Sequence, residues 1–111
     1  MKYPEEIEKE LERAVRALEE NNDGMARVCA RRAVGAAVRQ WGARQPWPPA
    51  WVAKGRSAVT QLRALAVDET IPSKIREAAV RLSATVDRDH KLPFDESPID
   101  DALIIIRHFV G

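Results

Sequence analysis

Arg27, Arg31, Arg32 and Arg39 are the side chains whose type and spacing point most directly to chemistry. A guanidinium is a planar fork that donates two parallel hydrogen bonds to a phosphate or carboxylate, so clustered arginines suit anion recognition. Arg27 and Arg31 stand four apart and Arg32 and Arg39 seven apart, interleaved with Val28, Gly35 and Val38. On a helix those spacings give one broad arginine face. Trp41, Trp47 and Trp51 follow in the same stretch. Indole rings beside arginines stack on nucleic-acid bases, or else close the end of a helical bundle, which is their commoner role. The candidate ligand-binding set is Arg27, Arg31, Arg32, Arg39 and Trp47.

Other reactive side chains carry less. Cys29 falls among alanines on the opposite arc of the same helix and reads as a small buried hydrophobe, not an activated thiolate. His90 lies in a run of Asp87, Asp89, Asp95 and Glu96 whose spacing matches neither a zinc motif nor a calcium loop. His108 shares a helical face with Asp101, but seven residues put about 10 Å between them along the axis. No phosphate loop, dinucleotide fingerprint, HExxH or nucleophile elbow is present. No catalytic residue, metal ligand or cofactor is assigned, and an enzyme is the less favoured reading.

Charge makes the arginines worth following. The chain has 111 residues and a formal net charge of +1, with 45% hydrophobic and 32% charged residues, a globular composition at single-domain length. That +1 hides an asymmetry. Residues 24–67 carry eight basic side chains and no acid, whereas 1–23 sum to −4 and 68–111 to −3. Either the acidic ends fold back and pair with the arginines, or the arginine face stays open to a phosphate or an acidic partner. A lone cysteine leaves stability to packing, and the acidic, amphipathic N-terminal segment is unlike a signal peptide, so a cytoplasmic location is expected.

Positioning these groups falls to five helices. Ile7, Leu11, Ala14, Val15 and Leu18 recur at helical spacing between Pro4 and the stop signal Asn21-Asn22-Asp23-Gly24, with Glu5/Lys9 and Glu12/Arg16 as supporting pairs. Asp23 is the expected N-cap of a second helix over about 24–41, and Pro46, Pro48 and Pro49 forbid its continuation. A third helix is expected over about 57–67. A fourth opens at Pro72, with Ile75, Ala79, Leu82 and Val86 as its stripe, and a polar loop over 87–96 follows. Ser97-Pro98-Ile99-Asp100 starts a last helix to about Val110 that is apolar nearly all round, so it is either central or meets a partner chain. The expected architecture is an all-α, five-helix up-and-down bundle forming one domain over 1–111, with a homodimer favoured by the extra burial that a small chain gains.

The run Asn22-Asp23-Gly24-Met25-Ala26-Arg27-Val28-Cys29-Ala30-Arg31-Arg32-Ala33-Val34 resembles the second-helix region of HEPN (higher eukaryote and prokaryote nucleotide-binding) domains. Pro93-Phe94 followed by Ser97-Pro98-Ile99-Asp100-Asp101-Ala102 is similar to small prokaryotic members of that group. The resemblance implies a helical bundle, often dimeric, which in many members cleaves RNA or associates with a nucleotidyltransferase. The ribonuclease signature of that family spaces an arginine and a histidine by four to six residues. Here eight residues separate Arg81 from His90, one separates Arg88 from His90, and Arg107 directly precedes His108, so no catalytic residue carries over. The resulting expectation is a non-catalytic HEPN-like module that engages RNA, a nucleotide or an acidic protein. A metal-independent ribonuclease and a structural partner of a nucleotidyltransferase are the alternatives.

Overall fold

A computed structural model describes residues 3–52, 57–84 and 96–111. Among them are five α-helices and no strand: α1 (Glu5–Glu19), α2 (Asp23–Ala43), α3 (Ala58–Ala66), α4 (Ser73–Ser83) and α5 (Pro98–Phe109), with a single 3-10 turn at Ala50–Val52. The radius of gyration is 13.3 Å, close to the roughly 13 Å expected of a packed chain of this length.

In α1, Ile7, Leu11, Ala14 and Ala17 are buried at steps of four and three. Val15, expected in that stripe, sits at its edge and is 44% exposed. The helix ends in a Schellman motif. Asn21 takes the left-handed conformation (φ 60°), which asparagine tolerates better than most residues, and the Asn22 and Asn21 amides donate to the Ala17 and Leu18 carbonyls. Asn22 then caps the next helix, its Oδ1 accepting from the Met25 amide at 3.1 Å. The cap is therefore Asn22 and not Asp23, which is already helical.

At 21 residues α2 is the longest helix, and it runs one residue pair beyond the expected end at Trp41. It is buried nearly all round, with Ala26, Cys29, Ala30, Ala33, Val34, Ala36, Ala37 and Val38 in the core. Alanines allow this by letting neighbours approach closely, and burying them gives α2 the central place. α1 runs antiparallel on one side, α5 parallel on another, and α3 and α4 cover the remainder. Near its C-terminal end, a Cβ at Gly42 would collide with the Val52 side chain, so glycine is what lets the 3-10 turn close against the helix.

Ser57 caps α3 and Ser97 caps α5, each hydroxyl accepting from a first-turn amide at 3.2 Å. α4 differs from expectation at both ends. Pro72 precedes the helix and is not part of it, and Ala84 turns to an extended conformation (φ −64°, ψ 144°), ending α4 before Val86, which lies outside the described residues with most of the polar loop and His90. α5 buries Ala102, Ile105, Ile106 and Phe109 and leaves Ile99, Leu103 and Ile104 half-covered. No helix among the described residues is long and apolar enough to cross a membrane.

Candidate anion-binding surface on helix α2

The central position of α2 breaks up the broad arginine face. Arg27 is only 3% exposed. Its Nη2 donates to the carbonyls of Arg81 and Leu82, each at 3.4 Å, and more closely to that of Ala84. Those carbonyls belong to the last turn and the C-cap of α4, at the negative end of the helix dipole, and the Arg81 carbonyl also accepts from the Ala84 amide at 3.3 Å. Burial first, and then the like charge of Arg31, hold the Arg27 guanidinium below the usual arginine range, and the Asp101 carboxylate pulls the other way. Of the candidate set, this residue is committed to the interior.

Asp101 itself is held by α4. Its carboxylate, 3% exposed, accepts from Arg81 Nη2 at 2.8 Å and from Nε at 3.0 and 3.2 Å, which raises the Arg81 pKa further. The acidic end of the chain therefore does fold back, but mainly onto Arg81 and not onto α2. On the other side, Glu6 of α1 accepts from Arg39 at 2.7 Å with both side chains at least half exposed, a pair worth little in stability and easily exchanged for another anion.

The remaining members face outward. Arg31 is half-buried with no acidic partner among the described residues, and desolvation lowers its pKa. Arg32 is exposed and likewise makes no ion pair among those residues. It lines a depression of about 330 Å³ between α1 and α2, together with Arg13, Arg16, Asn22, Met25, Cys29 and one carboxylate, Glu20. Three arginines from two helices thus border one concavity. Arg13 is held by Glu10 at 3.1 Å. The expected Glu12/Arg16 pair is not formed, although Glu5/Lys9 is, at 3.1 Å. Arg16 makes no ion pair among the described residues and borders both this depression and a neighbouring groove lined by Glu8, Glu12 and Glu19.

Sequence reasoning missed Arg13 and Arg16, having counted α1 as an acidic helix with nothing to contribute. The signal was available: residues three apart on the edge that packs against α2 must border Arg32 once the helices lie antiparallel. Cys29, at the floor of the depression, has its thiol pKa pushed up by burial and then by Glu10, so it stays protonated and unreactive at neutral pH.

Farther along α2, Arg39 edges a second concavity of about 560 Å³ formed with Gly42, Ala43, Pro48, Pro49, Ala50 and Val52. Trp47, on the same proline loop, is 91% exposed. The other two tryptophans close the bundle end. Trp41 stacks on Trp51 at 6.3 Å, and both meet the edge of Phe109, at 4.9 and 6.1 Å. The Trp51 indole N–H donates to Asp68 at 3.2 Å. His108, also exposed, shares a shallow concavity with Lys74 and Arg107 and meets the Phe109 ring at 4.9 Å; no carboxylate pairs with it among the described residues.

Comparison with protein-family models, with curated proteins and with solved structures returns no match.

Proposed function

We propose that this chain is a non-catalytic, HEPN-like helical module that binds a phosphate-rich ligand, RNA in the first instance, along the outer edge of α2. The observation that carries the reading is that Arg13, Arg16 and Arg32 border one depression and that two of the three have no carboxylate partner among the described residues. Like charges held together repel, and an anion with several acceptor oxygens relieves that repulsion while satisfying the guanidinium donors. Arg39 stands seven residues beyond Arg32, about 10 Å along the same helix, and suits a second phosphate of an extended strand. Trp47 offers the free ring on which a base can stack. The all-α order of the described helices is compatible with the HEPN-like reading, and the missing arginine–histidine spacing favours binding over cleavage.

Electrophoretic mobility shift with single-stranded RNA at two salt concentrations tests this. Retention at low salt that weakens steeply as salt rises is the expected result, since phosphate contacts release counterions. Arg16→Ala with Arg32→Ala should abolish most of it. No retention at low salt, or retention indifferent to that double substitution, would sink the proposal; an RNA shortened during the assay would show the chain to be a nuclease instead.

A further inference from the structure

Helix α1 carries six glutamates, and their partners sort them by face. Glu5, Glu6 and Glu10 are paired, with Lys9, Arg39 and Arg13 respectively. Glu8, Glu12 and Glu19 have no cationic partner among the described residues. All three line one groove, of about 420 Å³, between α1 and α5. At about 100° per residue they fall within about 40° of one another around the helix, and they make a ridge about 16 Å long. Glu8 accepts from the Tyr3 amide at 3.0 Å, which fixes its position without neutralising it.

Below the ridge the floor is apolar, with Leu11 and Val15 from α1 and Ile99 and Leu103 from α5. Val15 is 44% exposed, and Ile99 and Leu103 are only half-covered. The one basic residue at this groove, Arg16, lies on the flank of the ridge that turns away from Leu11 and toward the neighbouring depression. A trough with this floor and this rim selects its occupant by charge. Nucleic acid and anionic lipid are repelled by the ridge, and an uncharged apolar segment would desolvate the carboxylates without pairing them. A second copy set antiparallel on the groove would bring Glu8 against Glu19. Two antiparallel helices leave between them the space that a third helix fills, ridges into grooves. We infer that this groove docks a basic amphipathic helix of a partner protein, whose apolar stripe enters between α1 and α5 and whose lysines or arginines pair with Glu8, Glu12 and Glu19. The inference does not rest on the RNA reading, whose depression lies on the other flank of α1.

Fluorescence anisotropy of the full chain with a labelled leucine–lysine peptide of about 14 residues, an amphipathic helix long enough to span the ridge, tests this. Saturable binding that weakens as salt rises is the expected result. The same peptide with glutamate in place of lysine should bind at least about tenfold more weakly, and so should the original peptide to Glu12→Lys with Glu19→Lys. Leu103→Gln should weaken it likewise while circular dichroism retains the helical signal. Glu69→Lys with Glu77→Lys makes the same change in net charge at exposed positions outside the groove, and should leave binding within about twofold. Arg32→Ala, which removes an RNA contact, should leave peptide binding unchanged, so the two readings fail separately. No saturable binding at high micromolar concentration overturns the inference. So does equal binding of the glutamate peptide, or an equal loss in the two lysine pairs, which would show that net charge alone holds the peptide.

Discussion

Arg27 reaches from the second turn of α2 to the last carbonyls of α4, while Arg81, whose own carbonyl is one of those acceptors, clamps Asp101 at the start of α5. Two arginines one residue-contact apart thus tie three helices together, and one of them does so without any carboxylate in direct contact. This arrangement takes Arg27, one of the eight basic side chains of residues 24–67, into the interior, and it separates the structural arginines from those free to bind.

Breaking the clamp should be costly. Arg81→Met leaves the Asp101 carboxylate buried and unpaired, so unfolding free energy from urea denaturation should drop by about 3–5 kcal/mol. Asp101→Asn keeps the shape and one acceptor, and should lose less. RNA retention per folded molecule should be unchanged in both.

Gly42→Ala should destabilise the chain by about 1–3 kcal/mol, because the added methyl must displace Val52. Combining it with Val52→Ala should cost less than the two single changes together, since one cavity accepts the other's methyl. Thermal unfolding of the four proteins measures the coupling.

The tryptophans should divide cleanly. Trp47→Ala should leave stability within about 0.5 kcal/mol, given its 91% exposure, while weakening RNA retention in the mobility assay. Trp51→Ala should do the reverse: about 2–4 kcal/mol of stability lost with its contacts to Trp41, Phe109 and Asp68, and retention unaltered once folded.

Asp68 supplies a pH response. Hydrogen bonds from the Thr70 hydroxyl and amide, and then from Trp51, hold its carboxyl below the usual aspartate range. A depressed folded-state pKa contributes stability that is fully present above the unfolded value of about 3.9 and is lost as pH falls through the folded value. Indole fluorescence should therefore change below about pH 4, where Trp51 loses its acceptor, and Asp68→Asn should flatten that transition.

How far the sequence carries can be judged residue by residue. Ser97 with Pro98 announced the start of α5 because capping is local chemistry, and the 45–49 break after α2 followed from three prolines. The apolar periods of α1, α3 and α4 were legible for the same reason. The span of α2 was legible too, within two residues at its end, but its buried face was not, because alanine is compatible with any neighbour: its arginine-bearing half looked open, yet Gly35 is buried there against α3 and Arg27 against α4. The end of α4 was misjudged because the helix stops at an extended Ala84 that no proline or glycine announces, and the side chain that meets its last carbonyls, Arg27, is more than fifty residues away. In the candidate site, Arg32 could be named from α2 alone, whereas Arg13 and Arg16 required knowing which edge of α1 meets it.

The Arg27 contact also bears on how the chain reaches its fold. Its partners lie 54 to 57 positions along the sequence, so the carbonyls at the end of α4, of which only that of Arg81 has the Ala84 amide as a local donor among the described residues, gain the guanidinium only when α2 and the C-terminal half have met. An isolated fragment holding α3 and α4 would fray at Arg81–Ser83. Closure of α4 is thereby delayed to the late, long-range stage of assembly, and loss of that one side chain should show as faster unfolding with little change in the rate of folding.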